Sequence, residues 1–123
     1  MAVSITTLEP VTGARKFEDS NNANVPVSVK GSAGVIHSIT IDNSANGAAS
    51  YVKMWDLAVG DVTIGITPPD WIIKIPASKP RFTIPIPDGL AFATGLAVAT
   101  TTTALLAGTT SPSSAVAIGI VFV

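Results

Sequence analysis

Apolar and polar residues alternate with period two in one run after another along this chain, and glycine, proline, asparagine or aspartate cuts off each run. An extended strand points successive side chains to opposite faces, so this alternation suits a sheet with one buried side. Val35, His37, Ile39 and Ile41 fall on one face of the run Gly34 to Asn43, with Ile36, Ser38, Thr40 and Asp42 on the other. The same logic sets Phe82, Ile84 and Ile86 inward in Arg81 to Pro87, and gives Val116, Ile118, Ile120 and Phe122 one face of the closing run. Shorter runs at Val25 to Val29, Ala49 to Trp55 and Trp71 to Pro76 complete the pattern. No segment keeps an amphipathic 3.6-residue period with caps, although Ala91 to Leu106 has room for a short helix.

Proline and glycine refine the reading. Pro26 confines its strand to an edge or a strand start, and Pro85 with Pro87 leaves one side of its strand without ladder donors. Asn46-Gly47 is the strongest hairpin cue, and Pro87-Asp-Gly89 reads as a turn. Val59 to Asp70, with Gly60, Gly65 and Pro68-Pro69, reads as a long loop suited to carrying an interaction surface. The expected fold is all-β: an antiparallel β-sandwich, jelly-roll-like, built from about seven strands over residues 25–123 and preceded by an N-terminal arm or edge segment over residues 1–24.

At 123 residues the chain suits one domain. Only 12% of its residues are charged, against 47% hydrophobic, so its surface must be neutral and rich in hydroxyls. A net charge of -1 offers no basic patch, which argues against nucleic acid and against anionic membrane surfaces as partners. The first residues lack the basic start and apolar core of a signal peptide. Gly89 to Val123 contains no charged residue, yet Thr100 to Thr103, the glycines and the lack of flanking basic clusters argue against a membrane span. Two origins suit this uncharged third equally well: a buried strand pair, or a surface in permanent contact with other subunits.

Chemistry finds little to stand on. There is no cysteine, which removes disulfides, thiol nucleophiles and thiolate metal sites. His37 is the sole histidine, so a hydrolytic triad or a histidine-rich metal site has no material, and no cofactor or metal is expected. Most acidic residues, among them Asp42, Asp61, Asp70 and Asp88, sit beside turn residues or at strand ends, where aspartate serves the backbone. The chain is therefore expected not to be an enzyme. Trp55 and Trp71 flank the long loop and, with Tyr51, are candidate protein-contact residues, or alternatively a stacking platform for a sugar; the competing reading puts one or both tryptophans in the core.

Ser50-Tyr-Val-Lys-Met-Trp-Asp56, a proline-bearing loop and then Ile84-Pro-Ile-Pro-Asp-Gly-Leu-Ala-Phe-Ala-Thr-Gly-Leu-Ala-Val-Ala99 resemble a β-module that recurs in virion structural proteins of tailed bacteriophages. The likeness runs from about Gly34 to Val123 and rests on turn and packing motifs, with no catalytic signature. It implies a virion β-sandwich made in the host cytoplasm. No helical stalk or collagen-like repeat precedes the module, so the resemblance implies a capsid cement or decoration protein at the capsid surface. Its partners would be the major capsid protein or another virion structural protein, and it would form a homo-oligomer, a dimer or trimer. A tail, neck or head-fibre component, or a host-surface or carbohydrate-binding module, is the alternative.

Overall fold

The computed structural model describes residues 3–7 and 13–123. Nine strands lie among them: β1 (Val3–Thr7), β2 (Arg15–Asn22), β3 (Val27–Lys30), β4 (Gly34–Asp42), β5 (Ser50–Trp55), β6 (Trp71–Ile75), β7 (Phe82–Phe92), β8 (Leu96–Thr101) and β9 (Val116–Phe122). They form a five-stranded sheet in the order β1-β2-β9-β4-β7 and a four-stranded sheet in the order β3-β8-β5-β6. Every pairing is antiparallel. The pairs β2 with β9, β3 with β8, β4 with β7 and β5 with β6 are nested about one centre, as if a long hairpin had been rolled up across two sheets. That is jelly-roll topology, with β1 added outside it.

The alternation seen in the sequence makes the core. Phe17, Ile36, Ile39, Ile41, Val52, Met54, Leu96, Val98, Ile118 and Ile120 are all buried in one cluster between the sheets. Each such side chain contributes about 1.5–3 kcal/mol on burial, which is how a chain with so few charged residues holds together. The charge-free last third is largely core: every residue of β8 is buried, and β9 lies at the centre of its sheet with five of seven residues buried. What remains exposed of it is mainly the connection between these two strands.

The prolines mark edges as expected. Pro85 and Pro87 lie on β7, and Pro26 immediately precedes β3; both strands close off a sheet. Other expectations need correction. Arg15–Asn22, read as part of an arm, is a sheet strand with Phe17 fully buried, because Lys16, Glu18 and Ser20 face outward while Phe17 and Asp19 face in. Val3–Thr7 also pairs into the sheet, and residues 1–2 and 8–12 lie outside the described residues. His37 is exposed, not on the apolar face. A bulge between Ile36 and Ser38 shifts the phase of β4, so that Ile36 joins Ile39 and Ile41 in the core.

The same bulge absorbs Pro87-Asp-Gly89. Ile36 pairs with Leu90 and Ser38 with Pro85, so these residues swell β7 without ending it, and Gly89 takes a φ of 75° there. The Asn46-Gly47 segment turns the chain without making a hairpin, since β4 and β5 belong to different sheets. Leu96–Thr101 is a strand, so the room for a helix is not used.

Candidate protein-binding face

The side of the four-stranded sheet that faces away from the core is built from residues of the opposite phase. Val52 and Met54 point into the main core, which sends Tyr51, Lys53 and Trp55 outward. Directly opposite them on β8 stand Thr101, Ala99 and Ala97, and on β6 Lys74 and Ile72 oppose Tyr51 and Lys53. Small alanines beside a large ring leave room for a covering layer. Two long loops supply it.

The first loop, residues 56–70, folds Leu57, Val62 and Ile64 onto Trp55, Ala97 and Ala99 to make a second apolar cluster. Trp55 is 1% exposed, and its indole N–H donates to the carbonyl of Thr67 at 3.0 Å. Asp56 fastens the base of this loop. Its carboxylate accepts from the backbone N–H groups of Ala93, Thr94 and Gly95 at 2.9, 2.8 and 3.3 Å, and its own N–H donates to Asp70 at 2.6 Å. The second loop, residues 102–115, is held by Lys53. Its ammonium donates to the carbonyls of Leu105 and Gly108 at 2.8 and 3.1 Å, and burial pushes it below the ordinary lysine range. Thr101 adds a hydroxyl bond to the carbonyl of Thr103 at 2.8 Å. The two loops abut at Gly65, where a Cβ would sit 2.7 Å from the methyl of Thr109.

Exposed apolar side chains lie on and beside these loops. Ile66 is 73% exposed and Leu105 71%, with Leu106 and Ile72 also exposed. Residues 102–115 contain no charge. An apolar platform on loops clamped by a buried lysine and a buried tryptophan is the arrangement expected of a protein contact surface.

The three aromatic candidates are not brought together. Tyr51 and Trp55 share the outer phase of β5, but Trp55 is covered by its loop and Tyr51 is half-buried. Trp71 opposes Met54 and packs on the main core from the other side of the sheet, so no common stacking surface forms. Asp56 and Asp70 spend their oxygens on backbone N–H groups. Among the described residues no group of three His, Cys, Asp or Glu could hold a metal ion. Sequence reasoning passed over Leu105, Leu106 and Ile66; the available signal was apolar residues stranded between turn-forming ones, as in Leu105-Leu-Ala-Gly-Thr-Thr-Ser-Pro112.

Backbone bonds from Ala93 and Thr94 hold the Asp56 carboxyl below its ordinary range. The folded state therefore takes up its proton less readily than the unfolded chain. Its contribution is complete above the ordinary aspartate range and is lost as pH falls below about 4. Asp56→Ala is expected to cost about 1–2 kcal/mol at neutral pH, a figure reduced for its partial exposure. Melting curves from pH 7 to pH 3 should show the gap between Asp56→Ala and the parent narrowing in acid.

Fold and face together define a jelly-roll β-sandwich with a loop-built apolar platform on its smaller sheet. No protein-family model, curated protein or solved structure matches the chain.

Proposed function

We propose that this protein is a structural subunit that binds other protein subunits, and specifically a cement or decoration protein on the capsid of a tailed bacteriophage. The observation that carries the binding role is the platform of Ile66, Leu105, Leu106 and Ile72, exposed apolar side chains carried on and beside the two tethered loops. The resemblance of Ser50 to Asp56 and Ile84 to Ala99 to virion modules supplies the setting. The partner is the major capsid protein or another virion structural protein. Burying neutral surface across subunit joints favours the assembled shell by mass action, with no reaction involved. The fold alone does not choose among functions, and jelly rolls serve capsids and lectins alike.

Quantitative mass spectrometry of purified particles provides the test. A copy number comparable to the major capsid protein supports cement; a few copies per particle move the chain to the neck, tail or fibres; its absence sinks the virion reading. The face itself is tested by adding purified protein to particles that lack it. The double variant Ile66→Asp with Leu105→Asp should bind about 100-fold more weakly, because exposed anchors are replaced by charges that must be desolvated. Its melting temperature should stay near that of the parent, since neither side chain supports the fold.

A further inference from the structure

β1 is the strand left over when the two sheets are matched. Four strands of the smaller sheet cover the roll formed by β2, β9, β4 and β7, and β1 extends beyond them. Val3 opposes Asp19 and Ile5 opposes Phe17, so both point to the core-facing side of the sheet. Yet Ile5 is 48% exposed and Val3 38%, while Phe17 and Asp19 are fully buried. Beneath Ile5 an open cleft of about 770 Å³ runs between Ile5, Arg15, Ser28, Lys30 and Phe122. Alternate N–H and C=O groups of β1 also point away from β2, and among the described residues no strand pairs with that edge.

The other three sheet edges carry devices that discourage pairing. β7 has Pro85 and Pro87; β3 is four residues long, follows Pro26, ends in Lys30 and is bulged; β6 carries the exposed Lys74 and is bounded by Pro69 and Pro76. β1, Val-Ser-Ile-Thr-Thr, has neither charge nor proline. From this contrast we infer that β1 is a self-association edge: β1 of one copy pairs antiparallel with β1 of a second copy about a two-fold axis near Ile5, joining two five-stranded sheets into one of ten strands.

The occupant is a second copy for two reasons. An extended strand is the one element that satisfies a bare sheet edge, and an uncharged strand meets its own image without repulsion. In that dimer Ile5 meets Ile5 across the axis, and the two Val3–Ile5 faces form a shared apolar strip over the open clefts. The inference is independent of what the loop platform binds, because the two surfaces lie on different sheets.

Sedimentation equilibrium of the purified chain alone tests it. The parent should be a dimer at tens of micromolar, and Ile5→Lys, which sets two ammoniums opposite each other, should raise the dissociation constant about 100-fold. Circular dichroism of Ile5→Lys should match the parent, since Ile5 is half exposed in the monomer. As the chain has no cysteine, Ile5→Cys introduces a sole thiol, which should give a covalent dimer under mild oxidation. Val25→Cys, 61% exposed outside any strand, should not. A monomeric parent, a trimer, or a dimer indifferent to Ile5→Lys and uncrosslinked by Ile5→Cys would each overturn the inference. Loss of particle binding with dimerisation intact would instead count against the proposed function alone.

Discussion

Trp55→Ala is expected to cost about 4 kcal/mol, the range for emptying a buried aromatic site. For a domain of this size that corresponds to a fall in melting temperature on the order of 15 °C. The ring is covered by Leu57, Val62 and Ile64, and its N–H holds the carbonyl of Thr67, so the loss has two parts. A cavity opens over Ala97 and Ala99, and the loop that presents Ile66 loses its anchor. Trp55→Phe keeps most of the volume but not the donor, and should recover more than half of the stability. Calorimetry on the three proteins separates this role from the one the sequence suggested. A contact residue would change partner binding at constant melting temperature, whereas Trp55→Ala should change the melting temperature whether or not a partner is present.

Asn46→Ala is expected to cost about 3 kcal/mol, for a different physical reason. Its amide is buried and fully used. The NH2 group donates to Asn43 Oδ1 at 2.9 Å and to the carbonyl of Ser114 at 3.1 Å, while its oxygen accepts from the Ser114 N–H at 2.8 Å and the Ser113 hydroxyl at 3.4 Å. Asn43 extends the network to the carbonyls of Pro76 and Ala48 and accepts from Ser50. Three connections, β4 to β5, β6 to β7 and β8 to β9, are thus locked together at one end of the roll by two side-chain amides. Truncation strands several buried polar groups at once. Asn46→Asp, which keeps the shape but cannot donate and would bury a charge, should be at least as damaging at neutral pH. Equilibrium denaturation in urea provides the measurement; a loss below about 1 kcal/mol would mean that water replaces the amide without cost.

Both residues were visible in the sequence under a different description. Asn46 precedes Gly47 and reads as a hairpin cue, because asparagine tolerates the backbone angles of tight turns. The side chain instead reaches a loop 68 residues away at Ser114, while the Asn46 backbone carbonyl accepts from the hydroxyl of Ser78, 32 residues away. Trp55 reads as a candidate contact because it borders a loop; nothing in its local sequence says that the loop folds back over it. Likewise Lys53 sits in an alternating strand on the phase opposite to the core, where a lysine should meet solvent, and only the returning segment 102–110 encloses it.

Period two with turn punctuation was enough to determine that this chain is all-β and sandwich-like, because alternation is a property of neighbouring residues and survives whatever lies opposite. Proline positions likewise marked β7 and β3 as edges, since a missing N–H is a local fact. Which strands pair, and therefore the jelly roll itself, depended on partners as distant as β2 and β9, and no local rule supplies that register. The bulge that exposes His37 and buries Ile36 is a shift in the register of β4 against both of its neighbours, β7 and β9, which β4 does not reveal alone. The exposed apolar platform was least legible of all. It exists because two loops far apart in the chain close over one face of a sheet, bury Trp55 and Lys53 beneath them, and leave Ile66 and Leu105 with nowhere inside to go.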